Sequence, residues 1–218
     1  MSTIKVSAYR WVPPFAQGLV RDLRVRWALE EAGMPYEERL LDFRNKPDGY
    51  QKLQPFGQVP TFEQDGLVLF ETGAIVLHIA ERSTLLLPPD PSARARATSW
   101  MFAALNSVEP SIMSLIQIDL KFAGDVAATQ IREAAVDAVK GRLASVAAWL
   151  GERDYLEDRF TAGDLLMVTV LRMLRHTDMV TAMPALAAYQ ARCEARPAFQ
   201  KALAAQVAVF AENAAAAA

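Results

Sequence analysis

The sequence predicts two domains of different class, a small α/β domain followed by an all-helical one. Three observations carry this. Strand and helix signals alternate through residues 1–84. Three prolines crowd into residues 88–91, inside STLLLPPDPS (83–92), and cannot continue a helix. Beyond them the chain is Ala-rich and its apolar residues recur at helical spacing. The expected division is 1–84, a linker at 85–91, and a helical domain at 92–218.

Element by element, IKVSAY (4–9) reads as a strand. LVRDLRVRWALEEAG (19–33) reads as a helix stopped by Gly33. YEERLLDF (36–43) is a second strand, and DGYQKL (48–53) a short helix. TFEQ and LVLF, joined through Asp65-Gly66, form a hairpin. TGAIVLHIAERS (72–83) is helical. Strand, helix, strand implies a parallel pair with a right-handed crossover, and the hairpin adds antiparallel strands at one side. In the second domain Val136, Val139, Leu143, Val146 and Leu150 make one apolar stripe of a helix. LLMVTVLRML (165–174) is apolar on nearly every face, so it belongs in the middle of its domain. Before it, Thr161 and Asp164 have the spacing of a capping box, and Phe160 and Leu165 that of a hydrophobic staple. That motif is structural. The closing AENAAAAA (211–218) is low-complexity and reads as a frayed helix end.

Charge and composition narrow the function. Lys and Arg number 23 against 25 Asp and Glu, a net charge of −2, so no nucleic acid or membrane surface is expected as partner. No stretch is long and apolar enough to span a bilayer, and MSTIKVSAYR lacks the pattern of a signal peptide. Cys193 is the single cysteine, which excludes an intrachain disulfide and fits a reducing, cytoplasmic setting. His78 and His176 have no second ligand at metal spacing, so no metal is expected. P-loop, dinucleotide-glycine and GxSxG motifs are absent.

One feature of PFGQVPTF (55–62) is unusual: Pro60 stands where a strand begins, although proline cannot donate to a sheet ladder. Together with three other segments it resembles the cytosolic glutathione transferases. VRWALEEAGMPYE (25–37) is similar to the first helix and second strand of bacterial members of that family. PFGQVPTFEQDG (55–66) resembles the segment around their cis-proline. LFETGAIVLHIAE (69–81) resembles their Glu-Ser-x-Ala-Ile motif, with Thr72 in place of serine. FTAGDLLMVTVL (160–171) resembles their capping box and buried helix. The four occur in the family's order and span essentially the whole chain.

The resemblance implies a thioredoxin-like first domain, glutathione as co-substrate, detoxification as the role, and a set of site residues. Pro60 should follow a cis peptide bond, leaving the Val59 N–H and C=O to pair with the cysteinyl backbone of glutathione as an added strand would. Glu71 and Thr72, at a strand-to-helix junction, should hold the γ-glutamyl end, where free helix N–H groups favour a carboxylate. Gln58 should also reach the peptide, and Asn45 or Lys46 the glycine carboxylate.

The chain departs from the family where the thiol should be activated. From Trp11 to Leu23 there is no Ser, Thr, Tyr or Cys; the usual serine position holds Leu19 and the usual tyrosine position Phe15. Three substitutes remain open: Tyr9 at the end of the first strand, Arg21 or Arg24 near the start of the first helix, or backbone N–H groups with no side chain. The electrophile is expected against Trp11 and Phe15 and against Met101 and Met113 of the helical domain. Phe56 stands where many members insert an aromatic into a second subunit, which implies a homodimer. Two other readings remain: glutathione-dependent reduction of peroxides or disulfides, and a non-catalytic interaction protein on the same fold.

Overall fold

The computed structural model describes residues 2–122 and 124–214. The chain forms two compact units, Met1–Leu87 with Ala195–Ala218, and Pro88–Glu194.

The first unit is built on a four-stranded sheet in the order β2-β1-β3-β4, with β1 Ile4–Tyr9, β2 Tyr36–Leu41, β3 Phe62–Gln64 and β4 Leu67–Leu69. β1 pairs parallel with β2, from Ile4 opposite Tyr36 to Tyr9 opposite Leu41, and antiparallel with β3; β3 and β4 are the hairpin. Alternation along β1 puts Ile4, Val6 and Ala8 on one face and Ser7 and Tyr9 on the other. The crossover helix α1 spans Asp22–Ala32 and α2 spans Thr72–Ala80. α1 begins three residues later than its apolar pattern suggests. Gly18 adopts a left-handed φ of 75°, and the Leu19 N–H bonds back to the Ala16 carbonyl at 3.0 Å, so residues 16–19 close a turn first.

Asp22 through Leu29 of α1 are all buried, charged residues included. The reason is α8, Pro197–Glu212, which covers a second side of α1. The Trp27 and Phe199 rings meet edge-on at 4.8 Å. Arg196 forks onto the Glu31 carboxylate at 2.5 and 2.8 Å. Gln206 Nε2 donates to the Asp22 carboxylate at 2.8 Å and to the Val20 carbonyl at 3.1 Å. The last helix of the expected 92–218 segment is therefore part of the unit that holds the sheet. The last four residues of the alanine-rich tail lie outside the described residues.

The second unit holds α3 Pro91–Phe102, α4 Glu109–Lys121, α5 Thr129–Leu150, α6 Ala162–Leu171 and α7 Pro184–Glu194. α3 runs into α4 through a π-helical turn, Ala103–Val108, just before Pro110, which has no N–H to continue the ladder. On α5 the stripe residues Val139, Leu143, Val146 and Leu150 are buried. All ten residues of α6 are buried. Its N-terminus carries the box read from the sequence: Thr161 Oγ1 accepts from the Gly163 N–H at 3.2 Å, and Asp164 Oδ2 accepts from the Thr161 N–H at 2.8 Å. Asp164 Oδ1 further accepts from the Leu156 N–H at 2.9 Å and the Tyr189 hydroxyl at 3.0 Å. Position 163 must be glycine, because a Cβ there would lie 2.7 Å from the Trp100 Cβ. Among the described residues no helix is long and apolar enough to cross a membrane.

Candidate functional site

The site begins at the turn that precedes β3. The Val59–Pro60 bond is cis. A hydroxyl relay fixes this turn from beneath. The Tyr50 hydroxyl donates to the Gln58 carbonyl at 2.7 Å, so at its 2.9 Å contact with Ser7 Oγ it accepts. Ser7 Oγ in turn accepts from the Thr61 N–H at 2.6 Å, and Gln54 Oε1 accepts from the Gln58 N–H at 3.1 Å. The backbone on both sides of Val59 and Pro60 is thus anchored. The Val59 side chain packs in a cluster with Leu41 and Tyr50. Its own N–H and C=O have no hydrogen-bond partner among the described residues.

A second set of open donors lies where β4 passes into α2. Glu71 precedes the helix with φ 67°, a left-handed conformation that strains a residue with a Cβ. Its exposed carboxylate has no partner among the described residues. The first in-register bond of the helix is from the Ile75 N–H to the Glu71 carbonyl at 3.0 Å, which leaves the N–H groups of Thr72, Gly73 and Ala74 without a partner there. Thr72 is buried, and its Oγ1 accepts from Arg24 Nη1 at 3.2 Å. Arg24 is thereby placed behind the start of α2, buried, and not on a solvated helix face.

Between β1 and α1 the chain folds through a short 3-10 turn, Pro14–Ala16, closed by the Ala16 N–H on the Pro13 carbonyl at 2.9 Å. Tyr9 lies on the Ser7 face of β1 and packs against the Leu41, Tyr50 and Val59 cluster, as does Val20 from the loop before α1. Its ring meets Phe43 edge-on at 6.2 Å, and the Lys46 ammonium sits 5.3 Å from its centroid. Lys46 also donates to the Phe43 carbonyl at 3.0 Å. The Tyr9 hydroxyl has no hydrogen-bond partner among the described residues. Burial raises its pKa, with the neighbouring Tyr50 and Asp22 adding to the effect. Arg21 is half-exposed at the residue before α1.

Of the residues expected to meet an electrophile, Trp11 is half-buried with its ring 6.3 Å from Phe43, and Phe15 is 64% exposed. In the second unit Met101 is buried and Met113 half-buried. Gln58 is exposed beside the cis bond. Among the described residues no three His, Cys, Asp or Glu side chains come together as a metal site. The sequence offers no motif for Ser7, Tyr50 or Gln54, because each acts on a turn more than three residues away. A hydroxyl alternating with buried apolar residues on β1 was the one available hint.

Comparison with known proteins fits this geometry. Residues 17–81 match the glutathione S-transferase N-terminal domain, and residues 112–197 match the glutathione S-transferase C-terminal domain. A glutathione S-transferase of Silene vulgaris is 30% identical over 201 residues, covering 84% of this chain and 92% of that one. The chain belongs to the glutathione S-transferase family. Glutathione S-transferase 4 of Zea mays is 28% identical over 215 residues, covering 92% and 93% of the two chains. Glutathione transferase F1 of poplar shares the fold with a TM-score of 0.78 at 23% identity, covering 94% of this chain and 99% of that one. A Burkholderia graminis glutathione transferase with two glutathione molecules bound per subunit has a TM-score of 0.79 at 24% identity, covering 92% and 87%. The fold is thus the thioredoxin-like domain with a helical C-terminal domain that the sequence predicts. The bacterial-type assignment is not supported, since the curated relatives matched over most of this transferase are plant proteins.

Proposed function

We propose that this transferase lays glutathione along the Val59 turn and the start of α2, ionises its thiol beside Tyr9, and directs the thiolate at a small hydrophobic electrophile. One observation carries the reading. The Val59 N–H and C=O stand open on an anchored turn, in the same unit as the cluster of unbonded donors at Thr72–Ala74. An extended peptide with a terminal carboxylate matches both. Gln58 and Pro60 flank the peptide, Glu71 answers its ammonium, and Lys46 its glycine carboxylate. Trp11 and Phe15 provide apolar surface for the electrophile. In the reaction the thiol proton goes to solvent, a carbon–sulfur bond forms at the electrophile, and the bond from that carbon to its leaving group breaks, the group departing as an anion with the electron pair. A cytoplasmic setting is part of this reading.

Tyr9 is the activator best supported by position. Its phenol has an uncommitted O–H, and its raised pKa keeps that proton in place while a thiol, ordinarily near pKa ~8.5, ionises. The rate should therefore fall on the acid side, as thiolate is protonated, and show no alkaline fall from Tyr9 up to about pH 10. Titrating the protein with glutathione and following thiolate absorbance tests this. Tyr9→Phe should raise the pKa of the bound thiol by roughly 1–2 units. An unchanged pKa would transfer the role to Arg21 or to backbone N–H groups. No glutathione binding at all would leave the interaction-protein reading.

Phe56 is 69% exposed and meets Phe70 edge-on at 6.3 Å. Exposed aromatic pairs of this kind suit burial against a second copy of the chain. The homodimer is part of the proposal, and Phe56→Ser should shift the sedimentation profile toward monomer. A wild-type monomer would remove it.

A further inference from the structure

The pairing of β1 with β2 continues one step past both strands, where the Arg10 N–H donates to the Leu41 carbonyl at 2.8 Å. Side chains alternate along a strand, so Trp11 follows Tyr9 on one face and Phe43 follows Leu41. The rings meet accordingly: Phe43 stands 6.2 Å from Tyr9 and 6.3 Å from Trp11. Trp11 and Phe43 are only half-buried. They leave apolar ring surface open at the carboxyl ends of two parallel strands, where ligands of open α/β sheets bind. A cation ends the row. The Arg44 guanidinium lies 5.2 Å from the centre of the Phe43 ring. A ring face attracts the charge but does not satisfy the five N–H donors as an oxygen would. Arg44 is exposed and pairs with no carboxylate among the described residues. Asp42 accepts through Oδ1 from the Arg44 and Asn45 backbone N–H groups, at 2.7 and 3.0 Å, which shapes the turn. Its single charge faces those of both Arg10 and Arg44. The loop therefore presents an open fork of donors beside an aromatic surface, with positive charge in excess.

We propose that Arg44 is a specificity-determining residue, and that this transferase prefers an electrophile built on an aromatic ring that carries an anionic group, such as an aryl carboxylate. The ring lies against Trp11 and Phe43, and the carboxylate takes the Arg44 fork. A guanidinium suits that role because its planar donors match both oxygens of a carboxylate. Lys46 has a different place: its ammonium is 5.3 Å from the Tyr9 ring centre and donates to the Phe43 carbonyl at 3.0 Å. The inference rests on the proposal that the thiolate forms beside Tyr9, because the row of rings runs from there to Arg44. It narrows the hydrophobic electrophile to an amphiphilic one.

The test compares 4-chloro-3,5-dinitrobenzoate with its uncharged carboxamide, 4-chloro-3,5-dinitrobenzamide. With either, the thiol proton goes to solvent, a carbon–sulfur bond forms, and chloride leaves with the electron pair of the carbon–chlorine bond. The two differ in intrinsic reactivity, so the quantity read is the change in their kcat/KM ratio from native protein to variant. Arg44→Gln should lower kcat/KM for the benzoate about fivefold, the upper range for an exposed ion pair. The benzamide and the KM for glutathione should stay nearly the same. Arg44→Lys should keep part of the preference, because the charge remains and the fork is lost. Arg10→Gln removes a charge that also faces Asp42 but stacks on no ring, and should leave the ratio unchanged. Raising the ionic strength from about 0.05 to about 0.5 M should shrink the native preference, since exposed charges are screened. Equal loss on both compounds overturns the inference, as does an equal shift of the ratio by Arg10→Gln. A rise in the KM for glutathione in Arg44→Gln, with the ratio unchanged, also overturns it and gives Arg44 to the peptide instead. So does turnover of neither compound by a protein that binds glutathione. Failure of the native protein to bind glutathione overturns the proposed function itself, and the inference with it.

Discussion

Asp164→Ala should cost the helical unit about 3–5 kcal/mol, measured as the shift in the urea unfolding midpoint. One carboxylate accepts from the Leu156 N–H, the Thr161 N–H, the Thr161 hydroxyl and the Tyr189 hydroxyl. Each of these donors is buried, and alanine leaves all of them unanswered. Burial pushes the Asp164 carboxyl up despite those hydrogen bonds, and the Tyr189 hydroxyl is pushed well up by burial and by the Asp164 charge. Thr161→Ala removes only the local cap and should cost about 1 kcal/mol. The gap between the two variants measures the part of Asp164 that reaches beyond its own helix. A similar cost for both would show that Tyr189 and Leu156 contribute nothing through it.

That gap also separates local signals in the sequence from contacts that only packing creates. Thr161 and Asp164 are three residues apart, so their pairing is a local signal, and so are the Asp65-Gly66 hairpin and the apolar stripe of α5. The Tyr189 partner is 25 residues from Asp164, and the Ser7 partner of Tyr50 is 43 residues away. No periodicity encodes such contacts, because they depend on which elements pack. α1 shows the same limit from the other side. Its RDLRVRW stretch mixes arginines with apolar residues and reads as a helix with a solvated charged face. α8 and α2 cover that face, so Arg24 and Arg26 are buried and each finds a specific acceptor. The candidate site was legible through its motifs, since Pro60 and Glu71–Thr72 lie on short segments, and the proposed binding uses mainly their backbone groups. Its supports were not.

Arg26→Met should be the most damaging change in the first unit. Arg26 and Asp22 are each 1% exposed, with Arg26 Nε donating to Asp22 Oδ2 at 2.6 Å and Nη1 pairing with Glu38 of β2. Methionine fills comparable space but leaves the Asp22 carboxylate buried, with Gln206 of α8 as its remaining side-chain donor. Breaking such a pair from one side costs about 3–5 kcal/mol. The loss should depend on pH in a defined direction. Burial already holds the Asp22 carboxyl above its ordinary value, against the opposing pull of Arg26. Without Arg26 it rises further, so the folded state holds a proton that the unfolded chain releases near pH ~4. Stability then falls as pH rises from there toward the folded pKa, and the deficit relative to wild type should be larger at about pH 8 than at about pH 5. Asp22→Asn removes the charge that needs a partner. The double variant should therefore recover much of the loss and lose the pH dependence, whereas a deficit independent of pH and unrelieved by Asp22→Asn would mean that Arg26 acts through its packing and its Glu38 contact alone.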